Sequence, residues 1–195
     1  MNFLAHIYLS GSSEEILTGN FIGDYVKGND YKKYPPLISK GILLHRNIDS
    51  FTDHHKITRA CKSYIRDGYG MYSGIVVDIF YDHFLSINWS RFSNVPLPVY
   101  IRERYEMLRS HFEEFPEGVK SFFPFFVESD WLTAYGNFEG LESVLRRMSD
   151  RTSLPDHSVY AISQLREHHA VLEQKAVEFL RDVTGYVKRS HKIKF

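Results

Sequence analysis

The chain has 195 residues, with 24 Lys and Arg residues against 24 Asp and Glu residues, so its formal net charge is zero. This length predicts one domain, and the ordinary contents of 43% apolar and 25% charged residues exclude a disordered or collagen-like chain. The neutral balance argues against a general nucleic-acid binder, and a lone cysteine, Cys61, excludes an internal disulfide and a multi-cysteine zinc site.

The first half of the chain predicts helices. Ser12 and Glu15 form a capping-box pattern that predicts a helix running to about Lys27, where the turn-forming residues 28–30 end it. Two prolines at 35 and 36 precede a second helix, predicted over 37–54. Further helices are predicted over about 55–68, 73–89 and 99–115.

The second half continues the pattern. The aromatic segment 122–132, interrupted by Pro124, predicts short helices or a loop, and a helix is predicted over about 138–147. The last helix begins after Pro155 and Asp156 and ends at Gly185. Its apolar stripe steps by three or four residues through Ile162, Leu165, His169, Leu172, Ala176, Phe179 and Val183.

These elements define the expected fold class and compartment. No alternating strand pattern of useful length is present, so the sequence predicts an all-α, single-domain helical bundle over residues 1–187, followed by a basic, frayed tail over 188–195. The first eleven residues lack the basic start of a signal peptide, and no apolar stretch approaches the ~20 residues of a membrane span. We therefore expect a cytoplasmic protein that contacts no membrane.

Histidine and aspartate cluster on one predicted helix. His45, Asp49 and Asp53 are spaced by four residues, so they share a helix face. Ligands arranged in such a row can bind one metal ion. The alternative is a His–Asp pair on a solvated face.

A second cluster lies in a helix that is apolar nearly all round. Asp78 and Asp82 share a face there, and His83 follows directly. Two carboxylates in such a helix require partners if they are to remain ionised. A metal ion or a buried Arg, such as Arg46, would meet that requirement.

Three further residues are candidates from position alone. Asp24 is on the expected inward face of the first helix, where Gly19 and Gly23 leave space for close approach. His6 lies in an apolar segment, where a hydrogen-bonded core histidine is the ordinary interpretation. His168 borders the apolar stripe of the last helix.

Taken together, the clusters suggest a metal site of nitrogen and oxygen ligands. Without thiolates, such a set favours Mn²⁺, Mg²⁺ or Fe²⁺ over structural zinc. An ion of this kind polarises phosphoryl oxygens and lowers the pKa of water, so hydrolysis of a phosphate ester is the expected chemistry. Arg46 or Lys27 would offset the charge that develops on the phosphoryl oxygens.

Four motifs in order resemble the acyl carrier protein phosphodiesterase family. They are residues 1–6, residues 19–20 with 23–28, residues 45–49 with 51–53, and Asp78 with 82–86. The resemblance implies a cytoplasmic bacterial hydrolase that cleaves the phosphodiester between 4′-phosphopantetheine and the serine of acyl carrier protein. It also implies an all-helical fold related to the HD-domain phosphohydrolases, served by Mn²⁺, although this chain has no adjacent His-Asp pair and its nearest counterpart is reversed, Asp82-His83.

The resemblance and the residue patterns together give an expected site. The expected catalytic residues are Asp24, Arg46 and His83. The expected metal ligands are Asp24, His45, Asp49, Asp78, Asp82 and His83, and the residues expected to orient them are His6, Asp53 and His168.

The implied substrate makes a further demand on the surface. Acyl carrier protein is strongly acidic, so a basic face is expected to bind it, and Lys27, Lys32, Lys33 and Lys40 form the expected patch. Two alternatives stay open at this point. One is an HD-type phosphohydrolase acting on nucleotides or small phosphate esters, and the other is a helical adaptor that binds acidic partners without a metal.

Overall fold

The computed structural model describes residues 1–195 as α-helices joined by short 3₁₀ turns, with no strand. The helices are α1 (Phe3–Leu9), α2 (Glu14–Phe21), α3 (Pro36–His54), α4 (Lys56–Lys62), α5 (Arg66–Tyr69), α6 (Ser73–Ile87), α7 (Leu97–Ser110), α8 (Glu117–Glu128), α9 (Trp131–Ala134), α10 (Phe138–Ser149), α11 (Ser158–Glu167) and α12 (His169–His191). The prediction of an all-α chain is confirmed. No helix combines the length and the apolar character that crossing a bilayer requires.

A single apolar core holds the helices together. Fifty-one buried apolar residues form one continuous cluster. Helix α6 lies at its centre, packed against α1, α4, α10 and α12, which explains why its sequence is apolar on nearly every side.

Helices α2 and α3 pack against each other at backbone distance. A Cβ on Gly19 would overlap the backbone of α3 at Ile38, and a Cβ on Gly41 would overlap the backbone of α2 at Ile16. Only glycine at both positions permits this approach. The pair brings the C-terminal end of α2 beside the middle of α3, where His45 and Asp49 lie.

The structure differs from the predicted elements near the N-terminus. Helix α1 was not expected as an element, because seven residues are too few to display a helical period. The cap of α2 is Ser13, which accepts a hydrogen bond from the Ile16 amide, rather than Ser12. Helix α2 ends at Phe21 rather than near Lys27, and the chain turns through a 3₁₀ segment, Gly23–Tyr25.

Two further differences concern the C-terminal half. Pro124 lies inside α8, which continues through it. The expected last helix is two helices, because the chain breaks at His168 between α11 and α12. Residues 188–191 belong to α12, Ile193 is buried, and the Phe195 ring packs 5.1 Å from that of Tyr8, so the structure places the tail on the bundle.

Candidate active site

Helices α1, α2 and α3 bring two histidines together. The rings of His6 and His45 are stacked, with centroids 4.1 Å apart and an angle of 17° between planes. Asn20 fixes both rings: its side-chain oxygen lies 2.8 Å from Nδ1 of His6, and its backbone oxygen lies 2.8 Å from Nδ1 of His45. Each ring therefore presents its Nε2 atom to the same space.

Two carboxylates face these Nε2 atoms. Asp49 places Oδ1 3.1 Å from Nε2 of His6 and Oδ2 3.1 Å from Nε2 of His45, while Oδ1 of Asp24 lies 3.2 Å from the same atom of His45. Ligand atoms of His6, His45 and Asp49 all lie within 4.8 Å of one another. This group is a possible metal-binding site.

The donor set fits a divalent cation. Nε2 of His45 is buried between two carboxylate oxygens, and no hydrogen bond of good geometry satisfies it, so a cation that replaced its proton would meet nitrogen and oxygen ligands together. Both imidazoles are fixed through Nδ1, the arrangement that orients metal-binding histidines in proteins. Two imidazoles with one or two carboxylates form a set that suits Mn²⁺, Fe²⁺ or Zn²⁺.

Local sequence explains how Asp24 reaches the site. A Cβ on Gly23 would overlap the ring of His45, so only glycine allows the turn that carries Asp24 to pass so close. Arg46 supports the same turn from behind, because its guanidinium donates hydrogen bonds of 2.8 Å to the backbone oxygens of Val26 and Gly28. The Asp24 side chain is 74% exposed, so it faces solvent.

Burial and charge shift the protonation of the cluster. Burial lowers the pKa of His6 to about 4, and the neighbouring His45 adds to the effect. Burial also opposes charge on His45, but the carboxylates of Asp24 and Asp49 outweigh it and raise the pKa of His45 to about 9. Burial likewise opposes charge on Asp49, yet the two histidines hold the pKa of that carboxyl well below its usual range.

These values give a prediction for the metal-free protein. The His45 pKa is higher in the folded state than its ordinary 6.5, so its contribution to stability is complete below pH 6.5 and is lost as the pH rises through about 9. We expect the difference in free energy of unfolding between wild type and His45→Gln, measured by urea denaturation with a chelator present, to fall by about 3 kcal/mol over that interval. A difference that is flat or grows with pH would contradict the assigned contacts.

A cavity of about 610 Å³ contains the cluster. Along α3, the row of side chains runs from His45, beside Asp24, through Asp49 to Asp53, whose Oδ1 lies 3.3 Å from Nζ of Lys62. Asp53 and Lys62 both line the cavity. The cluster thus lies between the two ends of the cavity. Helices α1, α2, α8, α9 and α10 form one end, and helices α4 and α6 form the other.

The first of these ends is aromatic. Its rings belong to Phe3, Phe21, Tyr25, Phe122 and Trp131. Arg147 and Arg151 also line it; the Arg147 guanidinium lies 5.4 Å from the Trp131 ring, and its buried Nη1 atom has no hydrogen-bond partner. We call this part of the cavity the aromatic end.

Asp78 and Asp82 have separate surroundings although they share a helix face. Asp78 lines the cavity, and its Oδ1 lies 3.4 Å from the Met1 amino group, which lies equally far from Asp49. Asp82 is fully buried beneath α1 and accepts hydrogen bonds from the amides of Leu4 and Ala5 at 2.7 and 3.2 Å. Burial raises the pKa of Asp82 to about 8, although the Met1 amino group and these donors favour its ionised form.

Other expected site residues lie outside the cavity. His83 faces away from the cluster, where its Nδ1 atom lies 2.7 Å from the backbone oxygen of Tyr135. His168 packs on Tyr64, and Arg46 is engaged by the backbone of residues 26 and 28. The expected basic patch, Lys27, Lys32, Lys33 and Lys40, does not line the cavity.

The structure brings only some of the expected site residues together. Asp24, His45 and Asp49 lie together. His6, which is expected only to orient the ligands, lies with them as a possible ligand itself. His83 and Arg46 reach neither the cluster nor the cavity. Asn20, Lys62, Arg147 and Arg151 were missed, because their roles depend on contacts between distant helices and no local spacing indicates them.

Comparison with known proteins agrees with the motifs. The family model described as acyl carrier protein phosphodiesterase matches residues 1–183. A protein named acyl carrier protein phosphodiesterase from Yersinia pestis is 31% identical over 183 residues, covering 92% of this chain and 93% of its own. A protein of the same name from Escherichia coli O157:H7 is 31% identical over 180 residues, with the same coverage.

A third relative supports the assignment. The protein of that name from Salmonella paratyphi A is 29% identical over 180 residues, again covering 92% of this chain and 93% of its own. No solved structure matches the chain. The family model spans the first three helices, the cluster and both ends of the cavity, and the chain therefore belongs to the acyl carrier protein phosphodiesterase family.

Proposed function

We propose that this protein hydrolyses the phosphodiester between 4′-phosphopantetheine and the serine of acyl carrier protein, leaving the apo carrier protein. The observation that carries the proposal is the group of His6, His45 and Asp49, with Asp24 beside it, inside an open cavity of a chain that belongs to this family. We also propose that the whole helical bundle, including the tail packed on it, acts as one hydrolase domain in the cytoplasm, where it would meet the carrier protein.

The cluster is proposed to hold a divalent metal ion, with Mn²⁺ the first candidate. Nε2 of His6, Nε2 of His45 and the Asp49 carboxylate would be its ligands, and Asp24 is the nearest further oxygen donor. When bound, such an ion supplies Lewis-acid polarisation of a phosphoryl oxygen and lowers the pKa of water. Asn20 contributes by keeping both imidazoles in the orientation that ligation requires.

Asp24 is proposed to position the attacking water. Its neighbour His45 lowers the pKa of the Asp24 carboxyl, so this carboxylate is ionised at neutral pH and can accept a hydrogen bond from water. Its exposure leaves one oxygen free for that contact. Lys62 supplies positive charge on the α4 side of the cavity, where it offsets charge on the substrate.

The aromatic end is proposed to take the prosthetic group. Its rings offer apolar surface to the pantetheine chain, and Arg147 offers a buried donor without a protein partner. Because Tyr25 follows Asp24 directly, a chain bound among these rings would leave its phosphate next to the cluster. The carrier protein would then lie toward the other end.

The direct test is incubation of holo acyl carrier protein with the purified protein and Mn²⁺. We expect the intact mass of the carrier protein to fall by that of the 4′-phosphopantetheinyl group, which is one water less than the released 4′-phosphopantetheine. We expect a chelator to stop the reaction and added Mn²⁺ to restore it. Intact holo carrier protein after exposure to folded, metal-loaded enzyme would overturn the proposal. Turnover of nucleotides under the same conditions would select the small-ester alternative.

A further inference from the structure

A basic depression lies beside the catalytic cavity. It measures about 430 Å³ and is formed by the end of α4, by α5 and by the start of α6. Its lining residues are Arg59, Lys62, Ser63, Arg66, Gly70, Met71, Ser73 and Gly74. Lys62, Met71 and Gly74 also line the catalytic cavity, so the two spaces are continuous.

The connection is built around Lys62. A Cβ on Gly74 would lie 3.1 Å from both Cε and Nζ of Lys62, so the lysine side chain passes directly over the backbone at the start of α6. Its ammonium then pairs with Asp53, one helical turn beyond Asp49 on α3. Four residues rise about 6 Å along a helix axis, so the depression begins close to the cluster of His6, His45 and Asp49.

The segment that forms the depression is more basic than the chain as a whole. Residues 56–74 contain four basic residues and one acidic residue, whereas the whole chain is balanced at 24 to 24. Arg59 and Arg66 are exposed, and neither guanidinium has an ion-pair partner. Met71 is 90% exposed between the depression and the cavity and adds an apolar contact point.

The expected lysine patch is a weaker candidate. Lys33 pairs with Asp30, Lys32 lies over the Tyr31 ring, and neither opens onto the cavity. A protein bound at those lysines would not be guided to the cluster by any continuous groove.

We infer that the depression of Arg59, Lys62 and Arg66, with Met71 beside it, is the surface on which the acidic carrier protein binds during the reaction. This inference rests on the proposed function. A carrier protein seated here would present its modified serine at the α4 side of the cavity, and the prosthetic group would extend past the cluster into the aromatic end. Complementary charge at such a surface mainly accelerates association and makes it depend on salt.

The test uses charge reversal at two exposed arginines. We expect Arg59→Glu combined with Arg66→Glu to raise KM for holo carrier protein about tenfold or more, with kcat little changed and with a weaker dependence on ionic strength. Hydrolysis of bis(p-nitrophenyl) phosphate, a phosphodiester without a carrier protein, is expected to stay at the wild-type rate. Equilibrium binding of apo carrier protein, which needs no catalysis, gives a second readout. Its Kd is expected to rise by a factor similar to that of KM.

A matched control is Arg102→Glu combined with Arg181→Glu. Both arginines are exposed, neither forms an ion pair and neither lines the depression or the cavity, so the charge change is the same at a different place. Equal effects of the two double variants would overturn the inference, since they would show a response to net charge alone. A loss of binding seen only with Lys27→Glu, Lys32→Glu, Lys33→Glu and Lys40→Glu would also overturn it.

The outcome for the proposed function is separate. Failure of wild-type enzyme to release 4′-phosphopantetheine would reject the function, whereas release by wild type with no effect of Arg59→Glu and Arg66→Glu on KM or binding would reject only the surface.

Discussion

Asp49→Asn is expected to remove hydrolysis of holo carrier protein almost completely. Asp49 alone contacts both Nε2 atoms of the cluster, at 3.1 Å each, and its amide replacement keeps the shape but loses the negative charge that a divalent ion requires. Changing residues that merely orient ligands costs roughly 10–100-fold in metal affinity, so loss of a direct ligand is expected to cost at least ~100-fold. Isothermal titration with Mn²⁺ and the mass-based assay measure the two effects.

A matched control for this variant is Glu103→Gln. Glu103 is exposed on α7, forms no ion pair and lies outside the cavity, so the same change from carboxylate to amide is expected to leave Mn²⁺ affinity and turnover at wild-type values. Circular dichroism of Asp49→Asn would verify that the helices remain. Wild-type affinity for Mn²⁺ together with wild-type turnover in Asp49→Asn would remove Asp49 from the metal site.

Asp82→Ala is expected to have the largest effect on stability. Asp82 is 0% exposed and is the acceptor for the Leu4 and Ala5 amides at the start of α1. Alanine would leave these two buried donors without partners, and each such loss costs about 1–3 kcal/mol. We expect the free energy of unfolding to fall by about 2–4 kcal/mol in urea denaturation.

The same change is expected to disturb the cluster of His6, His45 and Asp49. Helix α1 carries His6, so freeing the first turn of this helix loosens the ring that stacks on His45. Mn²⁺ affinity is therefore expected to fall in Asp82→Ala even where the protein is folded. The control Glu178→Ala changes an exposed residue of α12, and its free energy of unfolding is expected to stay within about 0.5 kcal/mol of wild type. A loss of stability as small as this in Asp82→Ala would show that α1 does not depend on the buried carboxylate.

The long helices of the fold are predictable from the sequence. Helices α3, α6 and α10 were predicted within a few residues of their bounds, since each is long enough for the apolar spacing to be evident. The break at His168 was missed because the apolar stripe keeps its phase across it. The end of α2 at Phe21 was missed because the tight turn at Gly23 serves a contact with His45, on a different helix.

In the candidate site, too, the residues with local spacing signals are predictable and those that depend on distant contacts are not. His45 and Asp49 were found because four-residue spacing is a local signal, and the structure brings them together. The sequence predicts His6 only as a residue that orients the ligands, since nothing within its segment reveals that a ring on α3 stacks on it. Asp82 has the same spacing as a ligand pair, but its use as a cap for α1 depends on a partner 78 residues away.

The contact of Gly19 with Gly41 determines how the reaction centre responds to substitution elsewhere in the chain. Helices α2 and α3 meet backbone to backbone at Gly19 and Gly41, so their separation there does not depend on the size of side chains. The relative positions of His45, Asp49 and Asn20 are therefore little affected by substitutions elsewhere in the core. The aromatic end and the basic depression are built from side chains on other helices and carry no such restriction. We therefore expect substitutions in the aromatic end or the basic depression to alter binding while leaving the relative positions of His45, Asp49 and Asn20 unchanged.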